Sequence, residues 1–250
     1  MLNPFKAPTS ADLLLGGRVR IAQPRNGARV AIDPIFLAAA VPAEPGEAVL
    51  DIGCGSGAAS LCLAARVPGC RVVGLELQPD LAQLAGENVA ANGLEGRVAV
   101  IAGDLLRPPR GLLPGSFDHV MANPPFLERG RASPPPNPAK AAAAIEGEAD
   151  LADWVRFAAE MARPKGSMTF VHRADRLDAL LGYLAGRAGG IVVFPLWPMA
   201  GRDAGRVVVR ARKQVAAPTR LAAGLVLHEA DGRFTVAAEA VLRGGKALPL

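Results

Sequence analysis

The sequence predicts an α/β fold in which helices cover both faces of a mostly parallel β-sheet. From about residue 47 onward, short continuous apolar segments alternate with segments of helical pattern. Continuous apolar strands joined by helical crossovers are typical of a parallel sheet that is buried on both faces. A chain of 250 residues, half of them hydrophobic, is long enough to bury such a core.

Seven segments are predicted to form the strands. The connection between the last two is too short for a helix, so one of them is expected to run antiparallel to the others. In chain order the predicted strands are AVLDI (48–52), RVVGLE (71–76), RVAVIAGD (97–104), FDHVMA (117–122), SMTFVHR (167–173), GIVVFPLW (190–197) and GRVVVRARK (205–213).

Four helices are predicted between these strands. The second of them ends at the turn-forming pair Asn92-Gly93. The helical segments are SLCLAARV (60–67), PDLAQLAGENVAANG (79–93), LADWVRFAAEMARPKG (151–166) and RLDALLGYLAGRAGG (176–190).

The residues ahead of the first strand are predicted to form a hairpin and a helix. Segments 18–23 and 28–32 alternate in polarity around the turn P-R-N-G, which indicates a β-hairpin. Asp33 is a plausible N-cap, and Pro34 suits the first position of the helix that follows. We therefore expect an N-terminal hairpin and helix packed on the core (1–46), the main α/β domain (47–213) and a strand-and-helix appendage of the same domain (214–250).

Composition argues against several classes of protein. No apolar run reaches the roughly 18–20 residues of a membrane span, and the first residues lack the layout of a signal peptide. The three cysteines form no CxxC pair and the three histidines are scattered, which predicts a cytoplasmic protein with neither disulfides nor a metal site. These residues are Cys54, Cys62, Cys70, His119, His172 and His228.

Positive charge is concentrated in one part of the chain. Residues 163–220 contain eleven Lys or Arg against three Asp. A basic face of this kind suits a polyanion such as nucleic acid. A solvated surface of an arginine-rich protein would have the same composition, so this feature supports a nucleic-acid partner without establishing one.

A glycine-rich loop, DIGCGSG at 51–57, follows the first predicted strand and opens the first helix. Gly53, Gly55 and Gly57 allow a sharp turn and a close approach of the backbone to a ligand. Nicotinamide-binding proteins have a similar loop, so the loop alone is weak evidence. Asp51 would repel a pyrophosphate at this position but would favour a cationic amino acid moiety.

Carboxylates also end the second and third predicted strands. Glu76 follows Gly53 by 23 residues, where a carboxylate can accept hydrogen bonds from both hydroxyls of a ribose. Asp104 is placed to accept a hydrogen bond from the amino group of an adenine. An adenosine joined to a positively charged amino acid fits this arrangement, and S-adenosylmethionine is such a ligand.

The fourth strand ends in NPPF, residues 123–126, where two prolines exclude both a helix and a central strand. The Asn123 side-chain oxygen and the Pro124 carbonyl can together hold the two N–H bonds of an amine. Such a pair directs the nitrogen lone pair of a weakly nucleophilic amine toward a methyl donor. Phe126 offers a flat apolar face for a planar acceptor.

These motifs resemble those of the class I methyltransferases that act on exocyclic or amide nitrogen. Further segments are similar to the bacterial tRNA adenine-N6 methyltransferases, which modify the adenine beside the anticodon of a valine tRNA. The segments are 15–41, 151–166, 171–181 and 225–235. The resemblance implies a Rossmann-like, seven-stranded sheet in the order 3-2-1-4-5-7-6, S-adenosylmethionine as cofactor without a metal, and tRNA as partner with no membrane.

The resemblance also implies roles for individual residues. The target would be held by Asn123, Pro124, Pro125 and Phe126. The cofactor would be bound by Asp33, Asp51, Gly53, Cys54, Gly55, Gly57, Glu76, Leu77, Gly103, Asp104, Leu105 and Asn123. The chain has NPPF where many such enzymes have NPPY, which keeps the stacking face and removes a hydroxyl.

Other functions stay open at this point. A guanine-N2 methyltransferase of ribosomal RNA and a release-factor glutamine methyltransferase use the same chemistry. A nicotinamide-dependent oxidoreductase would leave Asp51 and NPPF unexplained, and a silent RNA-binding module would not need Asn123. The Pro- and Ala-rich segment 130–148 is expected to be either a floppy connector or a mobile flap over the site.

Overall fold

The computed structural model describes residues 8–25, 32–126 and 148–250. The Pro- and Ala-rich segment 130–148 lies outside this part of the chain apart from Glu148, and the predicted strand 28–32 lies outside it apart from Ile32. No helix of the described residues is long and apolar enough to cross a membrane.

The chain begins with an antiparallel hairpin of β1 (Thr9–Leu14) and β2 (Val19–Pro24). Segment 18–23 thus forms a strand as predicted, but it pairs with the segment before it. The reason is that Gly16 and Gly17 adopt positive φ and form the turn between β1 and β2.

In the described part of the chain, nine strands form one sheet at the centre of the molecule. Its strands are β3 (Ala48–Ile52), β4 (Arg71–Glu76), β5 (Val98–Ala102), β6 (Phe117–Ala122), β7 (Ala162–Arg173), β8 (Ala188–Met199), β9 (Arg206–Lys213), β10 (Arg220–Leu221) and β11 (Leu225–His228). The expected count of seven was too low, because the last part of the chain adds β10 and β11 beside β8.

The strands lie side by side in the order β5-β4-β3-β6-β7-β9-β8-β10, and β11 also pairs with β8. β9 runs antiparallel to both of its neighbours, and the other pairs are parallel. Since β3 to β7 all point the same way, their carboxyl ends meet at one edge of the sheet. Ligands bind at this edge in open α/β sheets.

Six α-helices are present among the described residues: α1 (Asp33–Ala40), α2 (Ala58–Arg66), α3 (Pro79–Ala91), α4 (Leu151–Met161), α5 (Leu177–Leu184) and α6 (Val236–Leu242). α4 ends five residues earlier than predicted, because β7 starts directly after it at Ala162. α4 begins with a capping box, in which Asp150 accepts from the Asp153 N–H and Asp153 accepts from the Asp150 N–H.

The helices bury the two faces of the sheet in separate apolar clusters. Val49 belongs to one cluster and Leu50 to the other, as the alternation of a strand requires. Phe36 of α1 and Leu61 of α2 pack on the first face, and Phe157 of α4 packs on the second. The sheet is therefore covered on both faces, as the apolar strands predict.

Side chains of α3 attach the hairpin to the core. The Arg20 and Ala22 N–H groups donate to the side-chain oxygens of Asn92 and Asn88, each at 2.8 Å. Asn88 is buried and also donates to the Ala22 and Ser56 carbonyls. These bonds satisfy the outer edge of β2 and fix the hairpin beside the glycine-rich loop.

Candidate active site

The glycine-rich loop turns the chain sharply between β3 and α2. Gly53 and Gly55 adopt φ of +67° and +56°, which other residues rarely adopt. The Gly53 N–H donates to the Leu75 carbonyl at 2.7 Å and ties the loop to β4. A Cβ on Gly53 would lie 2.5 Å from the Trp154 ring, whereas one on Gly55 would meet no atom within 4 Å. Gly53 is thus required by packing, and Gly55 leaves room for a ligand.

Glu76 supports the same loop from the end of β4. Its carboxylate accepts the Gly55 N–H at 2.8 Å and the Gln78 N–H at 3.0 Å. Burial raises the pKa of Glu76, and these hydrogen bonds oppose that rise. Each carboxylate oxygen has capacity for a further hydrogen bond, so Glu76 can hold the loop and also accept from a ligand.

A cavity of about 420 Å³ opens at the carboxyl ends of the strands, between this loop and NPPF. Nine of the residues expected in the site line it: Gly53, Gly55, Glu76, Leu77, Gly103, Asp104, Leu105, Asn123 and Pro125. Its walls also include Ile52, Leu75, Gln78, Leu81, Arg107, Glu148, Ala149 and Trp154. The structure therefore brings both predicted motifs to one cavity.

Asp104 lies on the cavity wall with a partner that the sequence analysis did not identify. Its carboxylate accepts the Leu106 N–H at 2.9 Å and Arg107 Nε at 3.0 Å. Arg107 is largely exposed and also pairs with Glu148 at 3.2 Å. A ligand amine that bonds to Asp104 would share this carboxylate with Arg107.

Three of the expected cofactor residues lie behind the loop and not on the cavity wall. Asp51 is 2% exposed and accepts the Ser60 hydroxyl at 2.6 Å. Burial raises the pKa of Asp51 to about 7, and its carboxylate bonds to Ser60 behind the loop. Cys54 packs against Gly74, where a Cβ would lie 2.7 Å from its sulfur, and Gly57 caps α2.

Asn123 is the polar residue of NPPF on the cavity wall. Its side-chain oxygen is buried and has no hydrogen-bond partner among the described residues. A buried acceptor left unsatisfied costs about 1–3 kcal/mol and calls for an explanation. A ligand N–H that donates to this oxygen would supply the missing hydrogen bond. Pro125 also lines the cavity, whereas Pro124 is buried beside it.

Phe126 does not line the cavity, although Pro125 before it does. Its ring contacts two side chains from the neighbouring strands. The Arg206 guanidinium lies over it, with Cζ 4.4 Å from the ring centroid. The His172 ring meets it at 75°, with centroids 5.6 Å apart. Burial, Arg176 and Arg206 lower the pKa of His172 to about 4, so this ring is neutral at pH 7.

Asp33 is not the N-cap that the sequence predicts. It is the first residue of α1, it makes no capping hydrogen bond, and the N-cap is Ile32. It is also not on the cavity wall. Its carboxylate instead accepts Arg206 Nε at 3.2 Å, because α1 packs against β9 and brings the two residues together.

Sequence reasoning missed Trp154 and Arg107. Trp154 lies within an amphipathic helix pattern, and nothing local places its ring on the glycine loop. Arg107 follows Asp104 by three residues, which is a spacing that could have indicated the pair. Among the described residues, no group of three or more His, Cys, Asp or Glu could hold a metal ion.

Comparison with known proteins gives consistent matches. A family model described as "Methyltransferase small domain" matches residues 29–136. A tRNA1(Val) (adenine(37)-N6)-methyltransferase from Porphyromonas gingivalis is 32% identical over 180 residues, 70% of each chain. One of the same name from Aeromonas hydrophila is 30% identical over 214 residues, which are 84% of this chain and 87% of the relative. The structure of a predicted O-methyltransferase from Agrobacterium tumefaciens matches with a TM-score of 0.72 at 25% identity, covering 86% of this chain and 98% of that one.

Proposed function

Because the chain belongs to the tRNA1(Val) (adenine(37)-N6)-methyltransferase family, we propose that it methylates the N6 amine of an adenine in tRNA, with S-adenosylmethionine as the methyl donor. The adenine beside the anticodon of a valine tRNA is the specific target that we propose. The Rossmann-like class I methyltransferase fold implied by the resemblance is confirmed.

The observation that carries the proposal is the unsatisfied oxygen of Asn123 in the cavity wall. The lone pair of an exocyclic amine is delocalised into the base, so the amine is a poor nucleophile. Asn123 Oδ1 and the Pro124 carbonyl accept the two N–H bonds, which favours a pyramidal nitrogen with its lone pair exposed. The two prolines restrict the backbone and thereby fix the direction of the carbonyl.

The cavity suits the cofactor in size and in chemistry. No atom lies within 4 Å of the position that a Cβ on Gly55 would occupy, so a ligand can approach the loop there. The Glu76 carboxylate can accept hydrogen bonds from ribose hydroxyls. Asp104 and Leu105 lie on the wall where the adenine would bind. Bound S-adenosylmethionine supplies an electrophilic methyl group, and the acceptor nitrogen releases its proton after the transfer, so no strong base is required.

The proposed function is tested by incubating the protein with labelled S-adenosylmethionine and hypomodified total tRNA, followed by digestion to nucleosides and mass spectrometry. N6-methyladenosine is the expected product. N2-methylguanosine would keep the chemistry and overturn the target. Label in the glutamine of a release factor supplied in a parallel reaction, with none in tRNA, would overturn RNA as the substrate.

A further inference from the structure

The aromatic ring of NPPF is held by an arginine that comes from a distant part of the sequence. Arg206 is the first residue of β9, and its guanidinium carbon lies 4.4 Å from the centroid of the Phe126 ring. This distance is within the range of a cation–π contact. Phe126 is only half-buried, so part of its ring stays accessible beside the guanidinium and the His172 ring, whose centroid lies 5.6 Å from that of Phe126.

Arg206 is itself held in place by two further contacts. Its Nε donates to the Asp33 carboxylate at 3.2 Å, and its Nη1 donates to the Gly205 carbonyl at 3.1 Å. The Asp33 side chain is 10% exposed and that of Arg206 is 35% exposed. Moving Arg206 away would leave a nearly buried carboxylate without its cation, which is strongly unfavourable. The guanidinium therefore has a defined position against the ring.

We propose that Arg206, held by Asp33, is a positioning residue that supports Phe126 from behind, so that the target base stacks on the opposite face of the ring. The inference rests on the proposed function, because it concerns how the target base is held while its amine bonds to Asn123.

The alternative is that Arg206 occupies the place of the base and must leave when RNA binds. The two arrangements have opposite consequences for affinity. Removal of a support weakens stacking and raises KM for tRNA, whereas removal of an occupant lowers KM. The contacts of Arg206 with Asp33 and Gly205 favour the arrangement in which Arg206 supports the ring.

The test compares Arg206→Met, Arg206→Lys and Asp33→Asn with the wild type in steady-state methyl transfer to tRNA. We expect Arg206→Met to raise KM for tRNA by about tenfold, the scale of one weakened stacking contact. Arg206→Lys keeps the charge beside Asp33 and is expected to restore part of the loss. The affinity for S-adenosylhomocysteine should stay within about twofold in both Arg206 variants, because Arg206 is not on the cavity wall.

Arg173→Met is the matched control. Arg173 pairs across the strands with Arg206 and binds Asp175, so its replacement removes one charge from the same edge of the sheet. The rise in KM should be clearly larger for Arg206→Met than for this control. An equal rise in both, an unchanged KM in an active Arg206→Met variant, or a lowered KM would overturn the inference alone. Wild-type protein that leaves tRNA unmethylated would overturn the proposed function, and the inference with it.

Discussion

Asp51 is a residue of the glycine-rich motif whose ionisation depends on burial. It is the last residue but one of β3, lies behind the glycine loop and binds Ser60. Burial raises its pKa from the ordinary value of 3.8 to about 7. The folded protein therefore holds a proton on Asp51 between about pH 4 and pH 7, where the unfolded chain has lost it, and stability falls as the pH rises through this range.

Asp51→Asn should remove this dependence. Between pH 5 and pH 8, the free energy of unfolding of the wild type should fall by about 3 kcal/mol more than that of the variant. Urea denaturation at the two pH values measures the difference. Asp80→Asn, which changes an exposed carboxylate on α3, is the control and should follow the wild type. Parallel pH profiles for wild type and Asp51→Asn would show that Asp51 is ionised in the folded protein.

Glu76 is the residue for which the motif and the geometry agree most fully. It lines the cavity and supports Gly55 at the same time. Glu76→Ala should weaken binding of S-adenosylhomocysteine by about 10- to 100-fold, the scale of lost hydrogen bonds to a charged group. Glu76→Gln keeps one acceptor oxygen and should lose less. Calorimetric titration measures both, and unchanged affinity in Glu76→Ala would refute the ribose role.

At the scale of elements, the strands were predictable because each is a short apolar run that ends in glycine, a turn or a proline. β3, β4 and β6 have the predicted bounds. The strand that pairs with β2 and the last residue of α4 were not predictable, because both depend on which neighbouring segment forms a turn or a strand. For the same reason the contacts of Trp154 with the loop and of Arg206 with Phe126 required the structure.

The packing of α4 on the glycine loop leads to a prediction about two glycines. Gly53→Ala should destabilise the protein by about 1–3 kcal/mol, because the residue has positive φ and its Cβ would lie against Trp154. Gly86→Ala, in the interior of α3 where an added Cβ meets nothing within 4 Å, should stabilise it by about 0.5–1 kcal/mol. Denaturant titration of both variants gives the comparison. Equal effects would contradict the assigned packing.

Three hydrogen-bonded polar side chains at the other end of the sheet have the residue types of a hydrolase site. His119 lies 2.8 Å from both the Ser167 hydroxyl and the Glu47 carboxylate. Ser167 is only 5% exposed, and it lies at the amino end of the paired strands, away from the cavity. These three side chains therefore join β6, β7 and the segment before β3, which is a structural role.

At the scale of the whole molecule, the basic segment 163–220 places arginines near both ends of β9. Arg206 lies beside the cavity, whereas Arg212 lies six residues further along β9, near Lys165. Six strand residues span about 20 Å, so these two arginines lie toward opposite ends of the sheet. The number of basic residues can be counted in the sequence, but their placement along the sheet depends on the direction of each strand.

If the positive charge binds RNA phosphates, affinity for tRNA should fall steeply with salt. A protein with several phosphate contacts loses about 10³-fold or more in affinity between 50 and 200 mM salt. Filter binding of tRNA over this range, with S-adenosylhomocysteine affinity as the control, measures the dependence. A flat response for tRNA would exclude phosphate contacts as the main source of affinity.

The most direct test of the central claim is the effect of Asn123→Ala on turnover and on cofactor affinity, measured on the same preparation. The account predicts that kcat for methyl transfer to tRNA falls by at least about 100-fold, because the amine loses a preorganised acceptor. It also predicts that the affinity for S-adenosylhomocysteine stays within about threefold. An equal loss of both, or an active Asn123→Ala variant, would contradict the role of Asn123 in holding the amine.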